Sequence, residues 1–227
     1  MTFRAAIFDL DGTIVDNMPL HTEAFAIFSS RHGLAPLTMA DRRRLDGRRN
    51  REIFPDLFGR PLTGDELRAY EREKESIYRS LSAGRLVPLR GFERLVDALG
   101  RHGIALAIAT SAPPENVQHT LREIRLDPAS LVIVRGDEVP RGKPWPDVFL
   151  EAAARLGVPP ADCIAFEDAP VGIAAASAAG MRTVAVTTSF SAADLAAHDP
   201  APDHVVADFE EYLAGPGQGL LSPPAVP

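Results

Sequence analysis

The sequence predicts an α/β protein: a doubly wound parallel-sheet core interrupted by an inserted α-helical cap. Three observations carry that reading. From Pro88 onward, short apolar runs alternate with helical stretches, which implies parallel strands covered by helices on both faces. One further apolar run, residues 5–8, stands apart near the start of the chain. Between that run and Val87 the pattern stays helical and offers no convincing strand. The expected organisation is a Rossmann-like core of residues 1–16 and 88–213, a helical cap of residues 17–87, and a Gly- and Pro-containing tail of residues 214–227 without fixed structure.

In chain order, residues 5–8 form the first strand. Helices are expected over 21–31 and 65–81 inside the cap. Strands then follow over 104–109, 131–134, 163–166 and 183–186, separated by helices over 92–101, 115–124, 147–156 and 171–179. Gly103, Gly157 and Gly180 stand where three of these helices must stop. The detour between the first strand and the next strand–helix unit leaves from the C-terminal edge of the sheet. It must therefore begin beside whatever site that edge holds.

Composition narrows the function. The chain has 227 residues, 45% of them hydrophobic and 24% charged, and a net charge of -7. That balance excludes a nucleic-acid binder of the electrostatic kind. Cys163 is the single cysteine, so an internal disulfide and a cysteine zinc cage are both excluded, and its apolar neighbours mark it as a buried hydrophobe. No apolar stretch approaches the ~20 residues that span a bilayer. Met-Thr-Phe-Arg leads straight into the first strand with no secretory pattern. A cytoplasmic monomer with no membrane or nucleic-acid partner is expected.

Four polar groups fall at the C-terminal ends of the expected strands: Asp9 and Asp11, Thr110 with Ser111, Lys143, and Glu167 with Asp168. Each alone reads as a cap or a turn. Parallel strands, however, bring all four to one rim, where open α/β sheets bind ligands. Clustered carboxylates repel one another unless a cation joins them. All-oxygen ligands suit a hard ion such as Mg²⁺. A lysine and a hydroxyl on the same rim would bind anionic oxygens, and a free carboxylate can attack phosphorus, so the set contains the parts for phosphoryl transfer. An EF-hand is excluded because Gly12 follows Asp11 too early and no closing glutamate is in register.

Asp9-Leu10-Asp11-Gly12-Thr13, Thr110, Lys143 and Glu167-Asp168 resemble, in order and context, the four motifs of the haloacid-dehalogenase-like hydrolases. Arg141 to Asp147 and Phe166 to Gly172 look like the branch that holds β-phosphoglucomutase and small sugar-phosphate phosphatases. The resemblance implies that Asp9 is the nucleophile and a metal ligand. It makes Asp11 the general acid and base, giving its backbone carbonyl to Mg²⁺. Thr110 and Lys143 would hold phosphoryl oxygens, while Asp168 ligates the metal with help from Glu167.

In the cap, the resemblance places His21, Lys74, Arg49, Asn50 and, from the core, Ser111 around the substrate. Where the mutases carry Gly-x-x-Arg, this chain reads Gly47-Arg48-Arg49-Asn50. An amide does not replace a bidentate guanidinium. The arginine-rich run 42–51 is expected to form a positive patch over the site. The implied function is a Mg²⁺-dependent phosphatase of a small phosphorylated metabolite, a sugar or polyol phosphate, working through an aspartyl phosphate. The alternative left open is β-phosphoglucomutase.

Overall fold

The computed structural model describes residues 3–222. Six parallel strands form one sheet: β1 (Ala5–Phe8), β2 (Ala105–Thr110), β3 (Val132–Arg135), β4 (Cys163–Glu167), β5 (Arg182–Val186) and β6 (His204–Val206), in the order β3-β2-β1-β4-β5-β6. The order reverses between β1 and β4, which makes the crevice beyond their C-terminal ends the switch point of the sheet.

Both faces of the sheet are covered, which is why its strands read as continuous apolar runs. Side chains alternate along β1: Ala5 and Ile7 join one core cluster, Ala6 and Phe8 the other. Helices α7 (Asp147–Leu156) and α8 (Pro170–Ala178) feed the first cluster. Helices α5 (Phe92–Arg101), α6 (Pro114–Glu123) and α10 (Phe209–Ala214) feed the second. There Phe8 stacks on Phe166 across the β1–β4 pair at 4.6 Å between centroids, and Phe209 meets Phe8 edge-on at 5.8 Å. The short helix α9 (Ala192–Ala196) packs on β6.

Four helices fill the expected insert: α1 (Met18–Arg31), α2 (Met39–Leu45), α3 (Asn50–Phe58) and α4 (Gly64–Ser82). Helix α1 packs along α4, with Phe28, Phe54, Phe58 and Tyr70 between the helices. Capping boxes Thr38–Asp41 and Thr63–Glu66 start α2 and α4.

The chain beyond residue 213 departs from expectation. A 3₁₀ turn forms over Gln218–Leu221, Leu220 is buried in the larger core cluster, and His102 Nε2 lies 3.2 Å from the Leu220 carbonyl oxygen. One apolar anchor is enough to order a stretch whose Gly and Pro content suggested a tail. Residues 223–227 lie outside the described part. Among the described residues, no helix is long and apolar enough to cross a membrane.

Candidate active site

Asp9 emerges where β1 ends, its backbone N–H donating to Phe166 O at 2.9 Å and so tying it to β4. The chain then turns at Gly12, whose φ of 82° is open to glycine at little cost. A side chain at this position would also collide with the Asp168 carboxylate. Asn17 braces the turn: its Oδ1 accepts from Gly12 N at 3.0 Å, and its Nδ2 donates to Asp11 Oδ1 at 2.6 Å.

Lys143 reaches across from the loop after β3. Its ammonium donates to Asp9 Oδ1 at 2.6 Å, Glu167 Oε1 at 2.5 Å and Ala109 O at 3.1 Å, so all three protons are placed. Burial works against its charge, but Asp9 and Glu167 overcome that and keep its proton bound more tightly than usual. The other oxygen of Glu167 accepts the backbone N–H groups of Asp168 and Ala169. Thr110, at the end of β2, is buried, and its hydroxyl accepts from Ala112 N at 3.0 Å.

Three carboxylates thus gather around one lysine. Ligand oxygens of Asp9, Glu167 and Asp168 lie within 4.8 Å of one another, all buried. Burial pushes Asp9 up to about 7, with Glu167 adding to the shift and Lys143 opposing it. Burial, together with Glu167 and Asp9, also raises Asp168 well above the ordinary range. Among the described residues, the Asp168 carboxylate accepts from hydroxyls alone, Thr13 at 3.4 Å and Ser189. An all-oxygen pocket with more negative than positive charge fits a hard divalent cation.

The helical insert closes this crevice from above. A cavity of about 70 Å³ lies between Asp9, Asp11, Thr110, Ser111 and Asp168 below and His21, Arg42, Asn50, Lys74 and Glu75 above. Lys74 Nζ donates to His21 Nδ1 at 2.8 Å and to Glu75 Oε1 at 2.9 Å. The opposite ring nitrogen of His21 then faces Asp11 at 3.9 Å. Burial, with Lys74 beside it, lowers the proton affinity of His21. Burial would raise Asp11, but the His21 ring and the Asn17 amide hold it below the ordinary carboxylate range. A wider groove of about 760 Å³, lined by Arg51, Arg72, Arg79 and Pro113 among others, shares Asn50, Glu75 and Ser111 with the inner cavity.

Of the expected site residues, Asp9, Asp11, Thr110, Ser111, His21, Asn50, Lys74 and Asp168 line the inner cavity, and Lys143 and Glu167 support it from beneath. Ser111 spends its hydroxyl on Gly47 O at 2.8 Å, which ties the insert to the core. Asn50 gives its amide to Glu75 Oε1 at 2.7 Å and to Glu71 at 3.3 Å.

Arg49 does not line the inner cavity; it lines the wider groove beside it. Its guanidinium is taken up by Glu52 and by core carbonyls. The positive patch expected over 42–51 is also largely neutralised. Arg42 pairs with Asp46, Arg43 with Asp194, Arg44 with Asp41, Arg48 with Asp56 and Arg49 with Glu52. Sequence reasoning counted cations and missed that the acids able to pair with them lay nearby in the fold. It also missed Asn17, Glu75 and Asn116, which lines the inner cavity and donates its amide to Glu75 Oε2 at 2.6 Å. Glu75 stands next to Lys74 in sequence, but only the packing of α4 on α1 and α6 shows that it is buried.

The model of the haloacid dehalogenase-like hydrolase family matches residues 3–180. The chain belongs to that family, and it is an enzyme. Hexitol phosphatase A of Escherichia coli K12 is 33% identical over 190 residues, covering 82% of this chain and 84% of that protein. The β-phosphoglucomutase of Bacillus subtilis 168 is 35% identical over 191 residues, covering 81% and 83%. The crystal structure of CbbY from Rhodobacter sphaeroides in complex with phosphate has a TM-score of 0.80 and 27% identity, covering 92% of this chain and 96% of that one. Identity does not separate phosphatase from mutase, so the choice falls to the site.

Proposed function

We propose that the chain is a Mg²⁺-dependent phosphatase that hydrolyses a sugar or polyol phosphate through a phosphoryl group carried on Asp9. The observation that carries this reading is the buried trio Asp9, Glu167 and Asp168 with Lys143 inserted between two of its members. Asp9, Asp168 and the Asp11 backbone carbonyl would hold the metal, with Glu167 in support. When bound, Mg²⁺ would neutralise the approach of an anionic ester to a carboxylate.

Lys143 holds Asp9 Oδ1, which leaves Oδ2 to attack phosphorus. The new Asp9–phosphorus bond forms as the ester oxygen leaves, and Asp11 gives that oxygen a proton. Water then attacks phosphorus, Asp11 takes its proton, and phosphate departs with Asp9 restored. Asp11 favours its carboxylate form in the free site, which suits the second step. A phosphate dianion beside it raises its proton affinity for the first. The helical insert acts as a cap that excludes bulk water.

The reading of the leaving group rests on Asn50. Its amide is bound to Glu75 and Glu71, so it offers no cation to a second phosphate inside the cavity; Arg51, Arg72 and Arg79 line the outer groove. The test is phosphate release from hexitol and hexose monophosphates with Mg²⁺ and with a chelator. Release that depends on Mg²⁺ is expected, and silence across the panel would overturn the proposal. Conversion of β-glucose 1-phosphate to glucose 6-phosphate with a bisphosphate primer, without free phosphate, would assign the mutase reaction instead.

A further inference from the structure

We infer that Arg49 is a positioning residue: it passes from the cap into the loop between β3 and Lys143 and holds the lysine in place while the cap is closed. The inference rests on the reading of Lys143 as a phosphoryl-binding group. Arg49 stands at the start of α3, yet only 9% of it is exposed. Glu52, one turn further on, anchors it: Nε donates to Glu52 Oε1 at 2.7 Å, and Nη2 contacts the same oxygen. The remaining nitrogen, Nη1, crosses to the core and donates to Gly136 O at 3.1 Å and Val139 O at 3.4 Å. Arg51 adds a bond to Pro140 O at 3.2 Å. Every acceptor on the core side belongs to the segment that leaves β3 and arrives at Lys143.

Two glycines open the passage. A Cβ on Gly142 would lie 2.5 Å from Arg49 Nε, and one on Gly136 would lie 3.0 Å from Arg49 Cδ. Neither glycine has a positive φ, so side-chain space rather than backbone conformation explains their presence. Gly142 immediately precedes Lys143, whose three protons each have a fixed acceptor. A small shift of this loop would misplace all three, and errors of ~1 Å at such a group can cost ~100-fold in rate. Withdrawal of Arg49 on cap opening would remove both the filler of the glycine cradle and the donor to its carbonyls. Closure over substrate would restore them, so the lysine is set only when the site is covered.

This role differs from binding the distal part of the substrate, because the guanidinium nitrogens are bonded to Glu52 and to the loop carbonyls. The experiment compares wild type, Arg49→Ala, Arg49→Lys, Gly142→Ala and the Arg49→Ala/Gly142→Ala double variant on a hexitol monophosphate and on p-nitrophenyl phosphate. Arg49→Ala is expected to lower kcat ~10-fold or more on both substrates, with KM changed less than ~3-fold, and Arg49→Lys to recover part of the loss. Gly142→Ala presses on the Arg49 side chain from the core side, where the added Cβ would lie 2.5 Å from Nε. It is expected to reproduce the loss in wild type and to add none to Arg49→Ala.

A loss confined to KM for the hexitol ester, with the aryl ester untouched, would make Arg49 a substrate ligand and overturn the inference, as would additive losses in the double variant. Hydrogen exchange over residues 136–142 provides a readout independent of turnover and is expected to rise in Arg49→Ala and in Gly142→Ala. Unchanged exchange there would overturn the inference even if activity fell. A wild-type enzyme that releases no phosphate would sink the phosphatase reading instead, with the exchange result still deciding the role of Arg49.

Discussion

Asp9, Asp11 and Asp168 carry the same side chain and reach different proton affinities because their neighbours differ. Asp9 and Asp168 are buried beside other carboxylates and are pushed up, while Asp11 is held down by His21 and Asn17. The first two are groups that a cation would relieve, and the third is a group ready to take a proton. Asp9→Asn keeps the shape but removes the attacking oxygen, and is expected to lower kcat by roughly three orders of magnitude or more with the melting curve retained. Steady-state kinetics beside circular dichroism checks both halves.

Glu75 makes a separate prediction. Burial would raise it, but Lys74, His21 and the Asn50 amide overcome burial and hold it at about 2, against an ordinary 4.5. A carboxylate lowered on folding adds stability that is complete above its unfolded value and is lost as pH falls towards its folded one. Denaturant unfolding of wild type and Glu75→Gln is therefore expected to differ by a constant amount above pH 4.5 and to converge between pH 4.5 and 2. A gap that widens on acidification would contradict the assignment.

The elements differ in how far each could be read before folding. Strands β1, β2, β4 and β5 were legible because burial on both faces leaves runs such as Ile7-Phe8 and Ile164-Ala165-Phe166 with no polar interruption. Helix α4 was legible from its periodicity. Strand β6 was not: its three residues pair on one side only, at the sheet edge, and lie too close to Pro200 and Pro202 to form a run. Helix α3 was hidden by Pro55 inside it. The core site was legible because three of its motifs end strands and Lys143 follows β3 in the next loop. Glu75, Asn116 and the inward turn of Arg49 were not, since they depend on how α3 and α4 meet the core.

Helix α10, which also escaped the sequence, is structurally central. Phe209 is fully buried and meets Phe8, Phe92 and Phe166 at 5.6 to 5.8 Å. Phe209→Ala is expected to cost about 3–5 kcal/mol of unfolding free energy, as large-to-small changes in cores do. Denaturant titration checks it, and a cost below about 1 kcal/mol would mean that the core around Phe8 and Phe166 repacks freely.

At the scale of the molecule, the sheet and the cap solve one problem together. The switch point between β1 and β4 concentrates carboxylates, and the cap buries them, so the folded state stores electrostatic repulsion that a divalent cation relieves. Mg²⁺ is therefore expected to raise the melting temperature as its concentration rises, adding about 2.7 kcal/mol of unfolding free energy at a hundred times its dissociation constant. Asp168→Asn is expected to reduce that response, and scanning calorimetry with and without a chelator measures it. The helical insert and the core also meet through Ser111 on Gly47 and Arg79 on Asn116, the latter at 2.7 Å.

The central claim is that Asp9 itself carries the phosphoryl group. It is tested most directly by acid-quenching the enzyme during turnover of a hexitol phosphate with Mg²⁺, then locating any phosphoryl group by peptide mass spectrometry. Asp11→Ala, which lacks the base for the second step, serves as the trap when given p-nitrophenyl phosphate, whose leaving group needs no proton from Asp11. A hydroxylamine-labile phosphoryl group on the peptide containing Asp9, enriched in Asp11→Ala and absent from Asp9→Asn, is the expected result. Steady phosphate release with no phosphoryl group on Asp9 in either wild type or Asp11→Ala would contradict it.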